Sequence, residues 1–395
     1  MAYLVVCVPP NTVVNVKVMN NKKLESILEK WQNIQPLSDN DRERLSRRFT
    51  VDFNYNSNHI EGNTLTYGQT ELLLLFGKVA GEADFKDYEE MMASNVCLKM
   101  MLMEATETKQ PLTQNFIRTL HQTLLRNDYK VYRTLPGGVQ TSYTIHAGQY
   151  KTRPNSVITR YGDRFEYASP EETPAFMSDL IDWYNQSETD GKLTPIELAI
   201  LFHYRYIRIH PFEDGNGRIA RLMVNYILSR HGYPMIVVRS RLKQAYLEAL
   251  HQADLIVGAT PADGAHASLK QIRPFYKHMV NLITKEVEND VLFVTEKDEN
   301  IWWYDGERIA FRTSTYSKIL SELQIEPNAT LLYLQHEVGV SRSALQKMLK
   351  TLQEKGFVQK HDKGSWRVFI TTSMCGVGIT SLRSVIPIFV PKAPC

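Results

Sequence analysis

Twelve residues of this chain concentrate more potential chemistry than any other stretch: His210-Pro211-Phe212-Glu213-Asp214-Gly215-Asn216-Gly217-Arg218-Ile219-Ala220-Arg221. An imidazole, His210, can take a proton near neutral pH. A carboxylate, Asp214, can hold a divalent cation that in turn bridges phosphate oxygens. Gly215 and Gly217 let a backbone approach a ligand closely. Arg218 and Arg221 are three apart and project from one side of a helix, a polyphosphate cradle rather than a carboxylate clip. Each residue alone has a plainer reading: Asp214 as a helix cap, His210 as a core histidine, the arginines as solvated charge. Helix capping does not require G-N-G-R-x-x-R as well, so together they point to nucleotide chemistry. The chain has no G-x-x-x-x-G-K-[ST] phosphate loop, no HExxH zinc pattern and no paired CxxC.

Two helices must position these groups. Ile196, Ala199, Ile200, His203, Tyr206 and Ile207 recur at three- and four-residue steps, which predicts a helix over Pro195 to Ile209. Pro195 suits its first turn, and Pro211 cannot extend it, so His210 sits at the exit. A second helix is predicted from Asn216 to Arg230, ended by Gly232 and Pro234. The loop therefore leads into a helix N-terminus, where free N–H groups and the dipole favour an anion.

The stretch resembles the Fic family signature, H-P-F-x-[D/E]-G-N-G-R-x-x-R, at every fixed position. The resemblance implies transfer of a nucleotide, usually AMP from ATP, onto a Tyr, Thr or Ser hydroxyl of a target protein. His210 would be the base, Asp214 the ligand of Mg²⁺ or Mn²⁺, and Asp214, Gly215, Asn216, Gly217, Arg218 and Arg221 the nucleotide-binding set. Upstream, Ser57-Asn58-His59-Ile60-Glu61-Gly62 looks like the family's inhibitory motif, [S/T]-x-x-x-E-[G/N]. By resemblance, Ser57 and Glu61 belong to an N-terminal inhibitory helix, and Glu61 pairs with Arg221 where the ATP γ-phosphate would lie. Residues Gly148 to Val157 resemble the family's strand pair, or flap, that grips the target backbone and covers the nucleotide. Asn155, Ser156, Val157 and Ile158 are its expected nucleotide contacts, with Val157 and Ile158 as strand residues. Tyr246 to Asp254 lies where the family often has a Tyr-Tyr pair and an Asn near the adenine. Here Leu247 replaces the second Tyr and Asp254 the Asn, a departure that weakens the base assignment, so ATP is favoured but not secured. A dimer is implied at the family level only.

The chain has 395 residues, 43% hydrophobic and 23% charged, an ordinary globular composition with room for two or three cores. A formal net charge of +3 predicts no strong overall attraction to nucleic acid or membrane. Cys7, Cys97, Cys375 and Cys395 are scattered, which fits reduced cysteines in a cytoplasmic protein. No apolar run approaches a membrane span, and the apolar start is cut by Pro9-Pro10, so neither a membrane anchor nor a signal peptide is expected.

The expected fold is mainly α: a leader (1–20), an N-terminal helical region with the inhibitory motif (21–110), a Fic-type core (111–290), a winged helix-turn-helix domain (291–374) and an unassigned tail (375–395). Helices are predicted over Asn21 to Trp31, Asp39 to Arg48, Thr66 to Phe76, Asp84 to Glu104, Thr113 to Leu125 and Pro170 to Tyr184, with breaks at Pro111, Pro136-Gly137-Gly138 and Gly148. Strands are expected in the centre only at the flap. Further on, Thr315 to Glu322, Thr330 to Glu337 and Ser341 to Lys355 read as helices around the turn Val338-Gly339-Val340-Ser341. Phe357 to His361 and Trp366 to Thr371 alternate like strands around Asp362-Lys363-Gly364-Ser365. From Ser341 to Lys363, six Lys or Arg face two Asp or Glu, a surplus that permits contact with DNA, although such modules also dock proteins. Two rival functions stay open on these residues: removal of AMP or transfer of another group at the same site, and a DNA-binding regulator with the winged helix as its output.

Overall fold

The computed structural model describes residues 21–79, 83–134, 138–158, 164–326, 328–360 and 364–368. The expected leader and tail, Cys7, Cys375, Cys395, the turn residues 136–137 and 362–363, and the ends of the two last expected strands, 361 and 369–371, lie outside them. Five helices come first: α1 (Lys22–Asn33), α2 (Asp39–Ile60), α3 (Tyr67–Phe76), α4 (Phe85–Thr106) and α5 (Gln114–Leu125). Two hairpins follow, β1 (Tyr129–Thr134) with β2 (Gln140–Ile145) and β3 (Ser156–Ile158) with β4 (Arg164–Glu166). Then come α6 (Thr173–Asp190), α7 (Pro195–Ile209), α8 (Asn216–Arg230), α9 (Lys243–Val257), α10 (Pro261–Ala265) and α11 (Arg273–Thr295). The chain continues through β5 (Ile301–Tyr304), β6 (Glu307–Ala310), α12 (Ser314–Ile325), α13 (Leu331–Val338), α14 (Arg342–Glu354), β7 (Val358–Lys360) and β8 (Trp366–Val368). The expected mainly α class holds. Described residues up to Arg308 form one compact unit and those from Ile309 a second.

In the first unit, α7 and α8 pack on each other, flanked by α4, α5, α6 and α11. A capping box between Thr194 and Glu197, with Pro195 in the first turn, starts α7. Tyr184, Phe202, Tyr204, Tyr206, Phe212 and Tyr226 are fully buried around the pair, so the loop between them rests on an aromatic floor. Both ends of α7 and α8 fall where the residue pattern predicts.

Two expectations are corrected. Strands in the centre are not confined to the flap, since β1–β2 pairs Tyr129 with Ile145 through Thr134 with Gln140; beyond the centre, β5–β6 is a further hairpin that the residue pattern did not predict. Its turn is Asp305-Gly306, both at positive φ (45° and 72°), the two-residue hairpin geometry. Secondly, the helix expected over Asp39 to Arg48, running towards the inhibitory motif, continues as α2 to Ile60. Asn54, Asn56 and Asn58 are poor helix formers. Each turns its amide back onto the carbonyl four residues earlier, at 2.8 Å, and all three are buried by their neighbours.

A buried ionic cluster anchors α2. Arg239, 2% exposed, grips Glu286 in a bidentate pair (3.0 and 2.6 Å) and reaches Asp52 at 2.9 Å and Asp305 at 3.2 Å. Asn56 donates to Asp305 at 2.7 Å and accepts from the Ser240 amide at 2.7 Å. Gly306 has no side chain because a Cβ there would collide with the Arg239 guanidinium. In the second unit α12, α13 and α14 pack in sequence, closed by the antiparallel pair β7–β8. That order is a winged helix-turn-helix, with Leu320, Leu334, Leu345, Leu349 and Leu352 in its core.

Removing the shared cation leaves buried Glu286 without an ion-pair partner among the described residues, and Asp52 and Asp305 with only Arg48 and Arg241. Arg239→Met is expected to lower the unfolding free energy of the full chain by about 3–5 kcal/mol. Urea denaturation checks this, and a loss under about 1 kcal/mol contradicts the assigned role of the cluster.

Candidate active site at the N-terminus of α8

His210 caps α7 in the left-handed region (φ 52°, ψ 60°), and Pro211 follows, so the chain turns sharply out of the helix. Its imidazole is half-buried and stacks on Tyr167, with ring centroids 4.1 Å apart at 17°. Nδ1 has no hydrogen-bond partner among the described residues. Burial, and then the nearby Lys151 cation, push the imidazole down to about 4, against the pull of the Ile207 carbonyl, Glu61 and Asp214. The ring is therefore neutral at physiological pH and able to accept a proton.

The loop is held from both sides. Asn216 brackets Phe212, accepting from its N–H at 3.0 Å and donating to its C=O at 2.7 Å. Both polar atoms of the Asn216 side chain are thereby engaged within the loop rather than offered to a ligand. His121 accepts from the Gly148 N–H at 2.9 Å, lies 3.0 Å from the Asp214 carbonyl, and stacks on Phe212 at 3.7 Å. Glu213 ties the loop to Thr152 and to Arg153, at 2.8 Å. Gly215 starts α8 at φ 76°, where a Cβ would press on Leu124 and His121.

The first amides of α8, on Asn216, Gly217 and Arg218, have no acceptor within the helix. Asp214 stands beside them. Its carboxylate accepts from the Tyr129 hydroxyl and the Gly215 amide, both at 2.6 Å, and lies 3.6 Å from Arg218. Burial raises this carboxyl, but Arg218, Tyr129 and the Gly215 amide outweigh it and hold it below the usual carboxylate range. No group of three or more His, Cys, Asp or Glu side chains arranged to hold a metal occurs among the described residues. One ionised, 43% exposed carboxylate nevertheless suits Mg²⁺, which takes one or two protein carboxylates and completes its shell with phosphates and water.

Arg218 is buried, and its Nε has no partner among the described residues. Arg221 is spoken for: Nε donates to Ser57 Oγ (3.0 Å), and Nη2 donates to the Ser57 carbonyl (2.8 Å) and to Glu61 Oε1 (2.7 Å). Glu61 caps α2 and lies so close to the start of α8 that a Cβ on Gly217 would collide with its carboxylate. Burial works to raise Glu61, while Arg221 and then Arg218 hold it below the usual range, so it is ionised. The structure thus brings Ser57, Glu61, His210, Asp214, Gly217, Arg218 and Arg221 together.

The remaining expected contacts are placed as follows. Ser156, Val157 and Ile158 form β3, in register with Glu166, Phe165 and Arg164, but residues 148–155 are loop, not strand. Asn155 bonds to Lys151 and to the Phe212 carbonyl, fastening the motif loop. Tyr246 is buried, its hydroxyl 2.8 Å from His203 and set against Arg221, so it supports the arginine from below. Asp254 is engaged by Tyr204 (2.7 Å) and Arg208 (3.2 Å), and Leu247 is exposed on α9. Sequence reasoning missed Tyr129, His121, Lys151 and Tyr167. Lys151 stood inside the quoted flap segment, but nothing local marks a lysine that will be buried; the other three gave no spacing signal.

Comparison with known proteins agrees with this geometry. Residues 111–228 match the Fic/DOC family model, and residues 315–359 match a winged helix-turn-helix DNA-binding model. A Fic domain containing signaling protein from Bacteroides thetaiotaomicron is 51% identical, with a TM-score of 0.64 over 70% of this chain and 99% of that one. Fic-1 (residues 134–508) from Caenorhabditis elegans is 25% identical, with a TM-score of 0.53 over 68% and 71%. A protein adenylyltransferase Fic from Nematostella vectensis is 28% identical over 241 residues, 60% of this chain and 52% of that protein. Protein adenylyltransferase fic-1 from C. elegans is 29% identical over 213 residues, and this chain spans only 38% of its length. With the signature, the helix pair and a solved relative covered almost end to end, the chain belongs to the Fic/DOC family.

Proposed function

We propose that the chain is a protein adenylyltransferase that moves AMP from ATP to a Tyr, Thr or Ser hydroxyl of a target protein and is held off by Glu61. One observation carries the reading: a neutral imidazole beside a helix N-terminus that also bears Asp214 and the Nε of Arg218, unpartnered among the described residues. The relatives named adenylyltransferases support it.

In this reading the triphosphate lies over the first turn of α8. The Asn216 and Gly217 amides and Arg218 bind its oxygens, and Asp214 would hold Mg²⁺ or Mn²⁺. The cation would neutralise α- and β-phosphate charge. His210 takes the proton of the target hydroxyl as its oxygen bonds to the α-phosphorus; the bond to the bridging oxygen breaks, and pyrophosphate leaves. Arg218 and Arg221 stabilise the charge that develops on it. Glu61 opposes this by filling the guanidinium that the γ-phosphate needs and by repelling it.

A second reading concerns the other unit. Arg342, Lys347 and Lys350 are all exposed on α14, the helix that follows the turn, and the matching model is described as DNA-binding. We propose phosphate contact by this face as an accessory property, independent of the transfer site.

Glu61→Gly is expected to raise incorporation of α-³²P label from ATP into protein at least tenfold; unchanged labelling removes the inhibition. In that background His210→Ala should lower the rate by about a hundred- to ten-thousandfold while ATP still binds. A near-parental rate would show that His210 is not the base. The pH profile has a definite sign. Because the imidazole titrates near 4 rather than at its ordinary value, the acid limb of kcat/KM in the Glu61→Gly protein should lie below pH 5. A limb centred at about 6.5 contradicts the half-buried, cation-flanked setting of the ring.

A further inference from the structure

Four successive carbonyls at the exit of α7 are gripped by one short segment of chain. The Lys151 ammonium donates to Ile209 (3.1 Å) and His210 (2.9 Å), the Lys151 amide to Pro211 (2.9 Å), and the Asn155 side chain to Phe212 (3.1 Å). The ammonium also donates to Asn155 Oδ1 at 2.8 Å, which uses all three of its protons. Lys151 is 3% exposed and makes no ion pair among the described residues. A buried cation is thus held by amide and carbonyl oxygens alone, an arrangement with a large desolvation cost and no charge partner. Burial lowers it to about 7, with Glu172 opposing.

The grip falls where the backbone is least comfortable. His210 is a non-glycine residue at φ 52°, and such a conformation persists only when its surroundings over-determine it. The last carbonyls of a helix lack internal partners, and Pro211 offers no N–H to a turn. A lysine placed below supplies the missing donors.

We propose that Lys151 is a positioning residue for the transfer reaction: by holding the Ile209 and His210 carbonyls it fixes the left-handed turn that sets the imidazole beside the N-terminus of α8. The inference rests on His210 serving as the base. Its charge has a second effect on the same ring. The groups that act on the imidazole are Lys151 from the loop before β3, the Ile207 carbonyl of α7, Glu61 at the end of α2, Asp214 from the motif loop and the stacked Tyr167. Lys151 is the only cation among them, so it opposes protonation and keeps the ring available as a base.

The test uses the full-length chain carrying Glu61→Gly, with Lys151→Met, Lys151→Gln and Lys151→Arg added singly. Three quantities are read: ATP·Mg²⁺ affinity by calorimetry, single-turnover transfer, and the titration midpoint of the His210 ring by NMR with ¹³C-labelled histidine. Lys151→Met should keep ATP affinity within about threefold, lower transfer about a hundredfold through misplacement of the base, and move the His210 midpoint upward. Lys151→Arg, which keeps charge and donors, should restore transfer to within about tenfold of the parent. If Lys151→Met fails to fold, Lys151→Gln, neutral but still a donor, should show the same upward midpoint. An unmoved midpoint, or transfer and ATP affinity falling together by the same factor, overturns the proposal and leaves Lys151 a structural residue. A parent that binds ATP but transfers nothing defeats the adenylylation reading instead, and the midpoint still decides the place of Lys151.

Discussion

The start of α8 is an anion site, and the molecule is arranged around what occupies it. Free amides, the helix dipole and two arginines converge there, and such a place is unstable without a negative group. Glu61 supplies one from a helix far away in sequence, bound to Arg221 at 2.7 Å and pressed against Gly217. Ser57 completes the hold on Arg221 through its hydroxyl and its carbonyl. The same positive end suits a phosphate, so under the proposed function the protein's own carboxylate and a nucleotide would compete for one location. In the proposed function, that competition is what would link the Glu61 contact to the transfer site.

Around this point the structure solves two positioning problems with buried polar groups. The motif loop must stay open to solvent yet keep one shape, which Asn216, His121 and Lys151 secure by bonding to its backbone. The helix that carries Glu61 must arrive in register, which the Arg239 cluster secures by gripping Asp52 about two and a half turns before it. Neither device lies in a contiguous stretch of sequence. Arg239 reaches partners on α2, α11 and the β5–β6 turn, so its value appears only after folding.

That contrast explains how much could be read beforehand. The helix pair α7 and α8 was legible to the residue because Pro195, Pro211 and Gly215 punctuate a strong three- and four-residue apolar rhythm. The pairing of Glu61 with Arg221 was legible only through the resemblance, and the geometry bears out the contact itself. Beyond Arg48 the course of α2 towards the motif came from the resemblance and not from the residue pattern, because asparagine is a weak helix former that tertiary burial overrode. The β5–β6 hairpin was overlooked although Asp305-Gly306 is a strong turn signal, since each strand has only four residues. Lys151 was invisible in principle: lysines are expected on surfaces, and its carbonyl partners lie some sixty residues away in the chain.

The account stands on the Glu61 carboxylate and the outermost phosphate of the nucleotide sharing one site. Calorimetry of ATP and of AMP with the intact chain and with its Glu61→Gly counterpart tests this directly. The shared site predicts that the substitution tightens ATP by about tenfold or more, roughly 1.4 kcal/mol, and leaves AMP unchanged. An equal gain for both nucleotides, or none for ATP, would contradict it.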